Sequence, residues 1–210
     1  MNLNEDETFE TRAQVDEPIL EMYAYGSRVY GCVTEKSDHD YIIVVESEDE
    51  NLNYSVTFTN FNATVYSEKN FIKRIQNHEV NALECIFQEE NDKYLKYFKL
   101  DTEKLRRKFS AVASNSYVKC KKKLKEGEVY IAKKSMFHSV RILNFGIQIA
   151  KYGKIVNYSC ANVHHDFIFY IGNDWNDIDA RFKPIYNAQK TLFKKLSPLD
   201  KEREIKNGNQ

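Results

Sequence analysis

Hydrophobic and polar positions follow two periods along this chain. In the first half the spacing is that of strands. Pro18-Ile-Leu-Glu-Met-Tyr-Ala-Tyr25 reads as a short strand closed by Gly26, and Asp40-Tyr-Ile-Ile-Val-Val45 is an unbroken β-branched run, as in a strand covered on both faces. After the charged turn Glu46–Asn53, residues Tyr54–Phe58 and Phe61–Tyr66 alternate as a hairpin turning at Thr59-Asn60. Ser67 is placed to cap a helix running to Gln76, and a second short helix is predicted over Asn81–Phe87. From Asp101 the period lengthens. Thr102–Lys125 reads as a long basic helix, and Glu128–Tyr152 is the clearest helix of all. Its stripe of Val129, Ala132, Met136, Val140, Leu143, Ile147 and Ala150 is closed by Gly153. Further helices are predicted over Ala161–Tyr170 and Ala180–Leu196. The expected organisation is a flexible acidic tail (1–15), an α+β domain with a small mixed sheet (16–98), an all-α helical domain (99–198) and a flexible tail (199–210).

Composition narrows the class. With 210 residues, of which 42% are hydrophobic and 13% aromatic, the chain can bury a sizeable core, which excludes collagenous, mucin-like and wholly disordered readings. Its longest apolar runs, such as Tyr41–Val45, fall far short of the roughly 20 residues that span a bilayer, so no membrane partner is expected. Met1–Glu10 is acidic without an apolar core, and the four cysteines (32, 85, 120, 160) include no CxxC pair. Both features predict reduced thiols in a cytoplasmic protein, with the nucleus the other such compartment.

A formal net charge of zero conceals an asymmetry. Residues 1–52 hold 14 acidic and 3 basic side chains, whereas residues 101–160 hold 14 basic and 4 acidic. The two parts can attract one another, or the acidic part can hold metal ions and the basic part a polyanion such as a nucleotide or RNA.

The chemistry concentrates in one segment. A strand ends in Gly26-Ser27, and ten residues later Asp38-His39-Asp40 opens the next strand. Gly26 lets the backbone approach a triphosphate, and Ser27 offers a hydroxyl and a peptide N–H to the same phosphates. In strand geometry the period of two aims Asp38 and Asp40 at one face. Carboxylates so placed can hold divalent cations, Mg²⁺ or Mn²⁺, for in-line phosphoryl displacement. Arg28, just beyond the turn, is placed for phosphate.

Gly26-Ser27-x10-Asp38-x-Asp40 resembles the motif of the polymerase-β-type nucleotidyltransferase superfamily. The fuller string Gly26-Ser-Arg-Val-Tyr-Gly31 … Ser37-Asp-His-Asp40 resembles the branch of predicted nucleotidyltransferases associated with RNA ligases. The similarity extends to Tyr66-Ser67-x3-Phe71, Asn81-Ala-Leu-Glu-Cys-Ile-Phe87, Lys134-x3-His138-x2-Arg141 and Gly153-Lys-Ile155. It implies a small mixed sheet with helices, an NTP as donor, Mg²⁺ as metal, RNA as acceptor and an RNA ligase as partner. On this reading Asp38 and Asp40 are the catalytic metal ligands, and Gly26, Ser27, Arg28, Lys134, His138 and Arg141 bind nucleotide. The reaction is transfer of NMP from an NTP to an acceptor hydroxyl, an RNA end being expected.

The sequence departs from the superfamily at one position. A third carboxylate is expected from the strand Phe61–Tyr66, yet its polar face is Asn62, Thr64 and Tyr66, with Asn62 where the acid belongs. An amide carries no charge and cannot act as a base near neutral pH. Glu46, Glu48 or Glu68 can reach the site if the alignment differs, His39 or Glu84 can stand in as base, or the protein binds nucleotide without transferring it. Transfer onto a protein hydroxyl is a further alternative.

Lys134, His138 and Arg141 recur at i, i+4 and i+7, hence on one side of a helix that is apolar on both faces. Cations so covered need a partner, either phosphate or carboxylates of the acidic half. Lys119–Lys125 can track RNA or be solvated. His164-His165-Asp166 suggests a metal site without spaced ligands to complete it.

Overall fold

The computed structural model describes residues 15–33, 37–58 and 61–199. The chain divides into two compact units, Met1–Phe98 and Lys99–Gln210. Apart from Val15 and Leu199, the predicted tails lie outside the described residues, as does the Thr59-Asn60 turn.

The first unit is a four-stranded mixed sheet with helices, the α+β class expected. Strands β1 (Ile19–Tyr25), β2 (His39–Val45), β3 (Asn53–Thr57) and β4 (Phe61–Ser67) lie in the order β1-β2-β4-β3. β2 is antiparallel to β1 and parallel to β4, while β3 and β4 form the antiparallel hairpin. Because side chains alternate, the sheet has two distinct faces. One gathers Tyr41, Ile43, Val45, Phe61, Ala63 and Val65 with Val15 and Phe58 into a continuous apolar cluster. The other carries Asp40, Ile42 and Val44 beside Asn62, Thr64 and Tyr66.

That second face grades from half-buried at Asp40 and Asn62 to buried at Val44 and Tyr66. Its buried end meets helix α2 (Glu68–Gln76), whose Phe71 stacks on Tyr23 of β1 with ring centroids 5.6 Å apart. Ser67 caps this helix as its hydroxyl chemistry predicts, accepting from the Asn70 N–H at 3.3 Å. The one-turn helix α1 (Ser27–Tyr30) follows β1, and α3 (Val80–Ile86), buried at every position but Asn81, completes the layer.

The second unit is all helical. Helix α4 (Thr102–Lys125) and helix α5 (Val129–Tyr152) are joined by three residues, of which Gly127 has φ 78°. So short a link makes them antiparallel neighbours. α5 buries 14 of its 24 residues, as its two apolar stripes require. Gly153 ends it in the left-handed conformation, φ 76°. A 3₁₀ turn (Asn162–His164) and short helix α6 (His165–Tyr170) stand where one helix over 161–170 is expected. Helix α7 (Trp175–Leu196) begins five residues before the predicted Ala180. Asp174 caps it, accepting from the Asn176 N–H at 2.7 Å, and Pro184 is accommodated inside it. Among the described residues no helix is long and apolar enough to cross a membrane.

Candidate active site

The first unit brings Gly26, Asp40 and Asn62 together. β1 and β2 pair so that Tyr25 faces Asp40, and β2 and β4 pair so that Asp40 faces Asn62. Gly26 therefore follows directly on the residue opposite Asp40. Its φ of 79° and ψ of −154° lie in a region open essentially to glycine alone. A Cβ there would stand 2.5 Å from Asp40 Oδ2. Glycine is thus required by the carboxylate as well as by any phosphate the turn receives.

Beyond Gly26 the chain makes the single turn of α1. The amides of Val29 and Tyr30 donate to the Gly26 carbonyl at 3.1 and 3.3 Å, and Gly31 closes the turn with φ 68°. The Cys32 amide and thiol both reach the Ser27 carbonyl, at 3.1 and 3.7 Å. Within this turn Arg28 is exposed, Ser27 is half-buried and Tyr30 is buried. Asp38 is exposed and lies just before β2.

The strand register settles the position of Asn62. It is the direct cross-strand neighbour of Asp40 on the polar face, so the amide occupies the place expected of a third carboxylate. The groups considered as substitutes lie away from Asp40 or are engaged with other residues. Glu46 and Glu68 follow the far ends of β2 and β4, six residues past Asp40 and Asn62, or about 20 Å along a strand. Glu48 pairs with Lys69, and Glu68 accepts from the Tyr94 hydroxyl at 3.1 Å. His39 alternates to the opposite face, its ring 6.4 Å from that of Tyr41. Glu84 is buried and accepts from the Tyr30 hydroxyl at 2.7 Å. Among the described residues no three His, Cys, Asp or Glu side chains gather as a metal site, and that includes His164-His165-Asp166.

The family model described as "Nucleotidyltransferase domain" matches residues 7–133, more than half of the chain. The chain belongs to this nucleotidyltransferase domain family. A solved structure titled as a nucleotidyltransferase-like protein from Exiguobacterium sibiricum 255-15 aligns over 89% of this chain and 74% of its own, at 12% identity and a TM-score of 0.33. Comparison with curated proteins gives no match.

The remaining predicted site residues of this nucleotidyltransferase domain protein belong to the helical unit. Lys134, His138 and Arg141 share one side of α5, with Lys134 exposed, His138 partly buried and Arg141 buried. The Arg141 guanidinium donates to His138 Nδ1 at 2.7 Å. His138 is pushed down to about 3, first by burial and then by the charges of Arg141, Lys119 and Lys134. Its imidazole is therefore neutral near pH 7, with Nδ1 as acceptor and the proton on Nε2. In the basic run, Lys123 is held by Glu126 and Glu128 at 2.8 and 2.7 Å, and Lys121 lies over the Trp175 ring.

Two supports of the Gly-Ser turn were not visible as functional residues in the sequence, Tyr30 and Gln88. Gln88 Nε2 donates to the Ala24 carbonyl at 2.9 Å, near the end of β1. The one available signal was an acid, Glu84, within the otherwise apolar run of α3.

Proposed function

We propose that the protein is a Mg²⁺-dependent nucleotidyltransferase that moves NMP from an NTP to an acceptor hydroxyl, with an RNA end as the acceptor. The observation carrying this reading is the seating of the Asp40 carboxylate against a glycine-only turn, with half-buried Asn62 beside it on the next strand. Membership of the nucleotidyltransferase domain family supports transfer in general. The basic composition of residues 101–160 supports a polyanionic acceptor.

The donor set suits one hard cation. Mg²⁺ is commonly held by one or two carboxylates, with water and substrate phosphates completing its shell, and Asp38 and Asp40 supply two carboxylates. Once bound it would neutralise charge on the phosphates. Ser27 and the turn backbone would orient the β- and γ-phosphates, with Arg28 on the exposed side. In the transfer, the acceptor oxygen forms a bond to the α-phosphorus, the bond to the β-phosphate oxygen breaks, and pyrophosphate departs. Asn62 cannot take the hydroxyl proton, which passes to water. Lys134, His138 and Arg141 are proposed as nucleotide contacts, His138 through its Nε2–H as a neutral donor. An RNA ligase is the proposed partner.

Asn62 favours a second reading, nucleotide binding without transfer. One assay separates the two. The protein is incubated with Mg²⁺ or Mn²⁺, each labelled NTP, and RNA or protein acceptors. Label on RNA that disappears in Asp38→Asn and Asp40→Asn supports transfer, and label on protein moves the acceptor to a protein hydroxyl. Retained NTP with no label on any acceptor supports the second reading. Absence of NTP binding rejects both.

A further inference from the structure

Helix α3 holds the chain on both sides of Gly26-Ser27. Upstream, Gln88, two residues past its C-terminal end, donates to the Ala24 carbonyl at 2.9 Å and back to the Glu84 carbonyl of the helix at 3.2 Å. Downstream, Tyr30 donates its hydroxyl to Glu84 Oε2 at 2.7 Å. Tyr30 is the only buried residue of α1, 3% exposed, and Glu84 is 1% exposed. The Tyr30 ring also meets Tyr25 edge-on, with centroids 6.3 Å apart. The contacts on either side of the turn thus converge on α3, more than 50 residues away in sequence.

A carboxylate buried in an apolar helix is costly unless it is hydrogen-bonded. A phenol anchored to it fixes the α1 turn at one end, because Tyr30 follows Ser27 by three residues and so lies one helical turn away. Any lateral shift of Tyr30 carries Ser27 and the turn amides with it. Phosphate binding depends on such donors being held in place before the ligand arrives.

We infer that Glu84, acting through Tyr30, is a positioning residue that sets the Gly26-Ser27 turn for the β- and γ-phosphates of the nucleotide. Glu84 does not touch substrate and is not the missing base. The inference rests on the proposed reading of the turn as a triphosphate site.

The test compares Mg·ATP with adenosine as ligands for the intact protein, its Tyr30→Phe, Glu84→Leu and Glu84→Gln variants and the double variant Tyr30→Phe/Glu84→Leu. Each is held well below its own unfolding midpoint. Tyr30→Phe is expected to weaken Mg·ATP about tenfold, the scale of one charge-assisted hydrogen bond, while leaving adenosine unchanged. Glu84→Leu should do the same, and the double variant should be no weaker than either single one, because one bond is removed. Glu84→Gln keeps an oxygen acceptor for the phenol and should retain most of the preference for triphosphate. Tyr30→Phe preserves the ring, so the comparison survives if Glu84→Leu fails to fold. A lower unfolding temperature with an unchanged ATP-to-adenosine ratio would mean that the pair is purely structural and would overturn the inference. If the unaltered protein binds no ATP, the transferase reading fails and this inference falls with it; if it binds ATP and Tyr30→Phe binds equally well, only the inference fails.

Discussion

The backbone of Gly26 lies so close to Asp40 that a single added carbon would stand 2.5 Å from the Asp40 Oδ2 oxygen. Two strands separated in sequence by the Gly-Ser turn thus bring the glycine bend and the Asp40 carboxylate to one point. The contact also explains why the turn begins with glycine. Gly26→Ala meets both the carboxylate and a backbone region that L-residues avoid, for a loss of about 1–3 kcal/mol in stability. The carboxylate must move to admit the new methyl, so Mg·NTP affinity should fall further than stability does. Calorimetric titration alongside thermal unfolding checks this, and unchanged affinity would contradict it.

Asn62 makes the opposite kind of prediction, a gain. Its place across from Asp40 is fixed by the β2–β4 register, so Asn62→Asp delivers a carboxylate without moving the backbone. A positioned base contributes about 10²–10⁴-fold to a proton transfer. NMP transfer by Asn62→Asp should therefore exceed that of the native protein by at least about 10²-fold. The added acid also brings like charges together, so the variant should be less stable in chelator and regain stability when Mg²⁺ is supplied. If transfer fails to rise while the Mg²⁺ stabilisation appears, the site binds cations but lacks another catalytic part.

Much of this could be read from the sequence because local chemistry and tertiary structure agree. The β-branched run at Ile42–Val45, the Ser67 cap and the double stripe of α5 each specify an element through a physical cause confined to a few residues. The predicted start at Ala180 sets α7 five residues too late, past its polar first turn Trp175-Asn176-Asp177. Asp174 provides the cap, and the helix accommodates Pro184. The candidate site was half legible. The Gly-Ser turn and the two aspartates stand out by their spacing, and the gap at Asn62 is what the superfamily resemblance implies, but the Glu84–Tyr30 bond joins residues 54 apart. No local period reveals such a pairing. The Gly26–Asp40 contact was likewise invisible until the strand register was known.

Gly146 tests the packing of the helical unit. It lies in α5, and a Cβ there would come within 2.6 and 2.8 Å of two ring carbons of Phe193 and 3.2 Å of Phe109. Both rings are fully buried and neither can swing aside. Gly146→Ala gains about 1 kcal/mol of helix propensity but forces overpacking that costs about 1–3 kcal/mol. The expected result is a net loss. Gly146→Ala combined with Phe193→Leu should recover part of it, by making room for the methyl. Urea unfolding followed by the fluorescence of Trp175, the single tryptophan, measures both, and a stabilised Gly146→Ala would show that the α5–α7 contact is looser than described.

His138 gives the helical unit a pH dependence whose direction is set by its surroundings. Burial and three neighbouring cations push it down to about 3, against an ordinary value of 6.5. Between those values the unfolded chain binds a proton that the folded chain does not, so stability rises with pH across this window and falls as the medium is acidified. At pH 5 this one group removes up to about 2 kcal/mol relative to neutral pH. His138→Gln keeps an oxygen able to accept from Arg141 and does not titrate. The variant should be nearly as stable as the native protein at pH 7 and relatively more stable at pH 5. His164 is also lowered by burial and by Arg181, so the native slope contains its contribution, and only the difference between the two proteins reports His138. Denaturant midpoints at pH 5 and pH 7 supply that difference. Parallel slopes would mean that His138 takes up its proton in the folded state, and that the Arg141–His138 hydrogen bond breaks in acid without cost to the fold.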